Sequence, residues 1–279
     1  MSRDIAYFKK IANELRLSVL EMVYNAKSGH IGGSFSMIEV LTALYFDEMK
    51  YDAKNPNYPK RDRFVLSKGH TAPALYAVLA QAGFYPKDWL INSFRGINSK
   101  LQGHPDMKHT PGVDMTSGSL GIGLSAACGM ALGAKVQKEN YYIFCMIGDG
   151  EINEGQIWEA VATAAHYKLN KLIAFVDING LQNDNTTKIV KDMGNIPEKW
   201  RAFGWSVQEI DGHDFNQIFP AIDKAKKSKD KPSVILMHTV KGKGVSFMED
   251  VVAWHGNCPK EEEYENAKKQ LMKKFDSIA

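Results

Sequence analysis

Near the start of the chain, apolar residues recur at helical spacing. Ile5, Phe8, Ile11, Leu15, Val19 and Met22 fall on one face between Asp4 and Ala26. Side chains three and four positions apart lie above one another on a helix, so this stretch predicts one long amphipathic helix. It ends at Ser28-Gly29-His30, where Gly29, Gly32 and Gly33 interrupt regular structure. Ser36, with Glu39 three residues on, reads as a capping box that opens a second helix to about Met49. Asn55–Lys60 carries two prolines and is a loop; Arg63–Ser67 is a short strand, followed after His70 by a helix through Ala80.

In the second half the pattern changes. Tyr141–Ile147 and Lys171–Val176 are near-continuous apolar runs of strand length, as expected for strands covered on both faces. A helix over 155–167 separates them. Val207–Ile210 and Ser233–His238 are further strands, with a helix over Phe215–Lys226 between. This alternation predicts an α/β fold, a three-layer αβα arrangement around a mostly parallel sheet. No repeat, linker or shift of composition divides the chain, so a single domain over 1–279 is expected. The lysine-rich stretch Lys224–Lys231 reads as a solvated helix end and loop, and Lys260–Lys274 as a surface or interface helix.

Composition narrows the function class only a little. With 279 residues, 44% hydrophobic and 24% charged, the chain has the make-up of a soluble globular protein. A net charge of +3 is too mild to argue for nucleic acid or an anionic membrane, though it suits phosphorylated ligands. Cys128, Cys145 and Cys258 cannot all pair and show no CxxC spacing, which favours reduced thiols. The first residues lack the apolar core of a signal peptide, and no apolar run reaches membrane-spanning length. A cytoplasmic location is the expectation, with neither nucleic acid nor membrane as partner.

The chemistry sits where the strands end. In an open parallel sheet, ligands collect at the carboxyl ends of the strands. Gly148-Asp149-Gly150 closes one buried run and Asp177-Ile178-Asn179 closes the next, one helical crossover later. That spacing places Asp149 and Asn179 side by side. Magnesium prefers six hard oxygens and usually takes some from phosphates, so a carboxylate, an amide oxygen, a main-chain carbonyl, a water and two diphosphate oxygens would complete its shell. The glycines would let backbone approach the phosphates. A Gly-Asp-Gly turn alone is common; Asn179 at one crossover distance is what points to a metal. Of the eight histidines, His30, His70, His104 and His255 each adjoin a glycine in a loop, where an imidazole can both donate and accept protons near neutrality. His109, His166, His213 and His238 read as structural, His213 as support for the turn before Asp214.

These segments resemble a known family. Ser28-Gly29-His30, Lys68-Gly69-His70, Gly103-His104-Pro105, Thr116–Gly121, Gly148–Gly155, Asp177-Ile178-Asn179, Ile210–Asp214, Lys241–Gly244 and Trp254-His255-Gly256 occur in the order found in transketolases. Over nearly its whole length the chain resembles the N-terminal, diphosphate-binding domain of transketolase, with its thiamine-diphosphate-binding fold. The resemblance implies thiamine diphosphate and Mg2+ (or Ca2+ or Mn2+) as cofactors. It implies that Asp149, Asn179 and the main-chain oxygen of Leu181 hold the metal. Gly118, Leu120 and Gly150 would touch the cofactor, with His70, Lys241 and His255 near its diphosphate. His30, His70, His104 and His255 would line the substrate channel as catalytic groups, and Glu154 would help couple two active sites near the subunit interface. One departure stands out: Ile31-Gly32-Gly33 follows the first histidine, where transketolases commonly have proline.

Transketolases continue into a pyrimidine-binding domain, which supplies the glutamate that activates the cofactor, and a C-terminal domain. Neither Glu151 nor Glu154, beside the diphosphate site, is placed to reach the pyrimidine end. The resemblance therefore implies a second chain carrying those domains, with an α2β2 heterotetramer as the assembly. The implied reaction moves a two-carbon ketol unit from a ketose phosphate to an aldose phosphate. Alternatives are a split enzyme acting on a sulfonated or branched sugar, and a relative of 1-deoxyxylulose-5-phosphate synthase or of 2-oxo-acid dehydrogenases. Gly103-His104-Pro105 and Trp254-His255-Gly256 favour transketolase over the latter two. A non-catalytic cofactor-binding subunit need not retain Asp149, Asn179 and the four histidines. A nucleotide-binding protein ranks last, since the chain has no P-loop and no GxGxxG after its first strand.

Overall fold

A computed structural model describes residues 3–277; the ends of the expected domain, Met1–Ser2 and Ile278–Ala279, lie outside the described residues. In chain order the helices and strands are α1 Ile5–Ala26, α2 Ile31–Phe35, α3 Ile38–Ala43, β1 Arg63–Leu66, α4 Ala72–Gln81, α5 Asp88–Ser93, α6 Ile122–Val136, β2 Ile143–Gly148, α7 Gly155–His166, β3 Leu172–Ile178, α8 Thr187–Lys191, α9 Ile196–Ala202, β4 Ser206–Asp211, α10 Phe215–Lys226, β5 Ser233–His238 and α11 Glu261–Ser277. The strands form one five-stranded sheet in the order β1-β2-β3-β5-β4. Every pairing in it is parallel.

Alternation along the strands divides the core in two. Phe64, Phe144, Met146, Ile173, Phe175, Ile235 and Met237 join a cluster with α1, α3, α4, α10 and α11 on one face. Val65, Ile143, Cys145, Ile147, Leu172, Ala174, Val176 and Leu236 join α6, α7 and α9 on the other. This is the three-layer α/β arrangement, and it explains why the strands read as unbroken apolar runs. Each buried aliphatic or aromatic side chain contributes about 1.5–3 kcal/mol relative to exposure, so the two clusters dominate stability.

The structure corrects three local expectations. Gly32 and Gly33 do not interrupt regular structure; they lie inside the short helix α2. A Cβ on Gly32 would stand 2.8 Å from the Trp254 carbonyl oxygen, so glycine here allows the 254–256 segment to close over α2. Ser36 is not a helix cap, and no single helix runs to Met49. The hydroxyl of Ser36 donates to Asp177 Oδ2 at 2.5 Å and also lies 3.0 Å from Gly33 O. Met37 occupies the cap position of α3 without a side-chain bond, and Leu44–Glu48 continues as a π turn. Lys226, in the stretch expected to be solvated, instead donates to Glu48 Oε2 at 2.6 Å and ties α10 to the end of that turn.

Candidate active site

β2 and β3 run in register, with Gly148 opposite Asp177, so both chains leave the sheet at the same edge. The amide of Asp149 donates to Asp177 O at 3.1 Å, and Asp149 Oδ2 in turn accepts from the Gly180 amide at 2.6 Å. Asn179 is fixed from both sides: its Nδ2 donates to Asp177 Oδ2 at 3.1 Å, and its Oδ1 accepts from the Leu181 amide at 3.2 Å. The carboxylate of Asp149, the amide of Asn179 and Leu181 line one cavity of about 250 Å³ at the carboxyl ends of the strands. His70, Leu120, Gly150, Glu154, Lys241 and His255 line it too.

Behind this floor is a network that the sequence did not reveal. Asp177 is wholly buried and pairs with Lys68, itself buried. Ser36, Asn179 and Thr239 also donate to the Asp177 carboxylate. Burial acts to raise the pKa of Asp177, but Lys68 together with Ser36 and Thr239 outweighs it and holds the carboxyl below the usual range. Glu151 is a second buried organiser. It accepts from Ser67 Oγ at 2.5 Å, from the Gly121 amide at 2.7 Å and from the Gly148 amide at 3.1 Å. One carboxylate thus ties the ends of β1 and β2 to the start of α6. A polar residue inside an otherwise apolar strand end was the available signal for Asp177; none marked Lys68 or Glu151 beyond their place in the motifs.

Above the floor lie the histidines. His70 and His255 stack at 5.2 Å between ring centroids, and His30 meets them edge-on at 5.2 and 5.6 Å. The loop carrying Gly118 crosses over Gly69, where a Cβ would come within 2.7 Å of Ser117 Oγ; glycine admits that crossing beside His70. His104 is exposed and packs against Gly118 at about 3.4 Å from where a Cβ would stand. His30, His104 and Gly118 therefore adjoin the cavity without lining it, and Glu154 is exposed at its edge. Burial, then the Arg95 charge, lowers His30 to about 4; burial, then Lys241, lowers His255 to about 3. Lys241 Nζ sits 2.7 Å from His255 Nδ1 and 3.2 Å from Leu181 O. Burial and the nearby Lys68 lower Lys241 to about 8.

The remaining histidines stand elsewhere. His109 is exposed and meets Asp106 at 2.6 Å, His166 packs edge-on against Tyr167, and His238 lies 3.4 Å from Glu209. The backbone of His213 does join the turn before α10, its amide donating to Asp211 Oδ1 at 2.8 Å. Its ring, however, reaches away from that turn to Glu39 and Val240.

Oxygen donors of three kinds converge with cationic side chains on one cavity, an arrangement suited to a cation and an anionic phosphate together. Among the described residues no cluster of three or more His, Cys, Asp or Glu is placed to hold a metal. The chain matches the family model described as transketolase, thiamine diphosphate binding domain, over residues 8–277. It belongs to the transketolase family. A 6-deoxy-6-sulfo-D-fructose transketolase subunit from a Clostridium strain is 48% identical over 262 residues, 94% of this chain and 95% of the relative. One of the subunits of an apulose-4-phosphate transketolase from Phocaeicola vulgatus is 41% identical over 263 residues, 94% of this chain and 93% of the relative. The crystal structure of Campylobacter jejuni transketolase superposes with a TM-score of 0.91 at 33% identity, covering 97% of this chain and 43% of that one. This transketolase-family chain thus spans under half of the full-length enzyme and nearly all of the two subunits. No described helix is long and apolar enough to cross a membrane.

Proposed function

We propose that this chain is the diphosphate-binding subunit of a two-chain transketolase, which transfers a two-carbon ketol unit between sugars together with a partner bearing the pyrimidine-binding domain. The observation that carries the reading is the meeting of Asp149, Asn179 and Leu181 with Lys241, His70 and His255 in one cavity. Its likeness to two transketolase subunits over nearly their whole length, against 43% of a complete transketolase, supports the need for a partner, and an α2β2 assembly is the arrangement we propose for the pair.

The residues present fit thiamine diphosphate with a divalent cation. Asp149 is pushed up to about 6, by burial first and then by Asp177 beside it, so a cation at its carboxylate offsets a cost already built in. The amide oxygen of Asn179 and the carbonyl of Leu181 add two neutral hard donors, the set Mg2+ or Ca2+ accepts alongside phosphate oxygens. Gln182 Nε2 and Asn153 Oδ1, both lining the cavity, are buried without a partner among the described residues. Lys241, His70 and His255 would supply positive or donating groups for a diphosphate, and Leu120 and Gly150 the close backbone approach, with Gly118 beside the cavity as a further cofactor contact.

Bound thiamine diphosphate supplies the nucleophilic carbon that accepts and passes on the ketol unit. The chain contributes the proton traffic. Neutral imidazoles carry one donor and one acceptor nitrogen each, so His30, His70, His104 and His255 can hold a substrate hydroxyl and move its proton. Glu154, exposed at the edge of the cavity, would be the residue that links this site to a neighbouring subunit.

The test is co-expression with the partner chain followed by a ketol-transfer assay. Turnover dependent on thiamine diphosphate and Mg2+ is expected from the pair and none from this chain alone; turnover by the single chain would overturn the split arrangement. A second reading of the substrate follows from the 48% identity to the 6-deoxy-6-sulfo-D-fructose relative. A sulfonated or branched ketose would then be the preferred donor, and comparing 6-deoxy-6-sulfo-D-fructose with fructose 6-phosphate in the same assay decides it.

A further inference from the structure

His213 lies outside the cavity, yet it links the core to the segment bearing Lys241. Its Nδ1 is 3.0 Å from Glu39 Oε2, and its Nε2 accepts from the Val240 amide at 2.9 Å. A ring nitrogen that accepts from an amide carries no proton, so the proton is on Nδ1 and is donated to Glu39. Glu39 is itself clamped by Arg16, which reaches it with Nη1 at 2.7 Å and Nη2 at 2.8 Å. Arg16 also donates to Phe35 O at 3.0 Å. The far side of the same segment is held by Gly242, whose amide donates to Gly32 O at 3.0 Å. Between these two anchors Lys241 is buried to 2% exposure, with Nζ directed at Leu181 O and His255.

We propose that His213 is a positioning residue: through Glu39 and Arg16 it fixes Val240, and so aims Lys241 at the diphosphate end of the cofactor cavity. A surface turn would leave the Val240 amide to water and let the buried lysine choose among rotamers. The His213 ring instead gives that amide a rigid acceptor, itself oriented by a buried charge pair. This is how an outer-layer group sharpens an inner one without touching ligand. The inference rests on the reading of Lys241 as a diphosphate-facing group.

The test uses the full chain with its partner and four forms: wild type, His213→Leu, Lys241→Met and the double variant, with His213→Gln as the conservative control. Glutamine can donate to Glu39 and accept from Val240, whereas leucine can do neither. Affinity for thiamine diphosphate with Mg2+ should fall about tenfold in His213→Leu, the loss of one well-placed hydrogen bond, and stay within about twofold in His213→Gln. Adding His213→Leu to Lys241→Met should weaken binding no further. Independent additive losses, or unchanged affinity in His213→Leu, would overturn the proposal. Peptide-level hydrogen exchange over 239–250 gives a second readout, rising in His213→Leu and not in His213→Gln. If Lys241→Met binds as wild type, the assignment of Lys241 fails, and exchange still decides whether His213 holds the segment.

Discussion

Behind the floor of the cavity Asp177 takes donors from Ser36, Lys68, Asn179 and Thr239, so this buried carboxylate finds its partners within the chain. On the rim, His30 Nδ1, Arg95 Nε and Ser117 Oγ are buried with no partner among the described residues. The two layers lie within one site and differ in what completes them. A closed network in low dielectric fixes geometry in advance, while unpaired buried groups carry a penalty of about 1–3 kcal/mol each until something meets them. The floor is therefore scaffold and the rim is the part that awaits substrate, cofactor or partner chain. Changes in the floor should act on stability and cofactor affinity, and changes in the rim on turnover.

The largest effect is expected at Lys68. Removing one member of a buried ion pair leaves the other charge without compensation, so Lys68→Met should destabilise by about 3–5 kcal/mol, read as a fall in the denaturant midpoint. A loss under about 1 kcal/mol would mean that the floor is not a closed network. Next comes Asp149→Asn, which keeps shape and removes charge. It should weaken Mg2+-dependent binding of thiamine diphosphate more than about a hundredfold with little change in melting temperature. Unchanged binding would remove Asp149 from the metal site. On the rim, His255→Ala should lower turnover of the assembled enzyme by about 10²–10⁴ while the melting temperature holds or rises. A fall in stability matching that in the floor would erase the distinction between the layers.

The sequence made the floor's inner half legible and left its outer half hidden. Strands buried on both faces announce themselves as apolar runs, and the polar residues that end them, Asp149 and Asn179, stand out by contrast. Asp177 ends the same strand as Asn179, but its partners come from α4's approach, from the turn after α2 and from the loop after β5, far apart in sequence. Ser36 and Glu39 have capping-box spacing, yet Ser36 serves Asp177, and Glu39 serves Arg16 and His213. Tertiary partners with buried charge outcompeted a local cap worth about 1 kcal/mol. Helix α6 went unpredicted because alanine and glycine surround it on every side and leave no 3.6-residue stripe. The clustering of His30, His70 and His255 could be anticipated only through the resemblance to transketolases, since each arrives from a different loop.

The smallest effect separates the layers by pH. His30 and His255 have folded pKa values of about 4 and about 3, below the ordinary value near 6.5 that the unfolded chain restores. Between about pH 6.5 and 4 the unfolded chain binds protons that the folded rim refuses, so the rim's contribution to stability is whole above that window and declines as pH falls through it, offset in part by Asp149, whose carboxyl, raised to about 6, takes up a proton in the folded chain first. Glu39 gives a second, lower window. Burial would raise its carboxyl, but Arg16 and then His213 bring it down to about 2. Its contribution persists above the unfolded value near 4.5 and is lost as pH falls toward 2. Denaturant midpoints measured from pH 8 to 3 should therefore fall in two stages. The double variant His30→Asn with His255→Asn should shallow the upper stage alone, with His70 and His104, also lowered by burial, supplying what remains, and Glu39→Gln should shallow the lower stage, to which Asp177 also contributes, from a reduced starting stability. Diphosphate bound beside the imidazoles favours their charged forms, so saturating thiamine diphosphate with Mg2+ should shallow the upper stage and leave the lower one in place. A single stage common to both sets of variants would show that the rim titrates as part of the core.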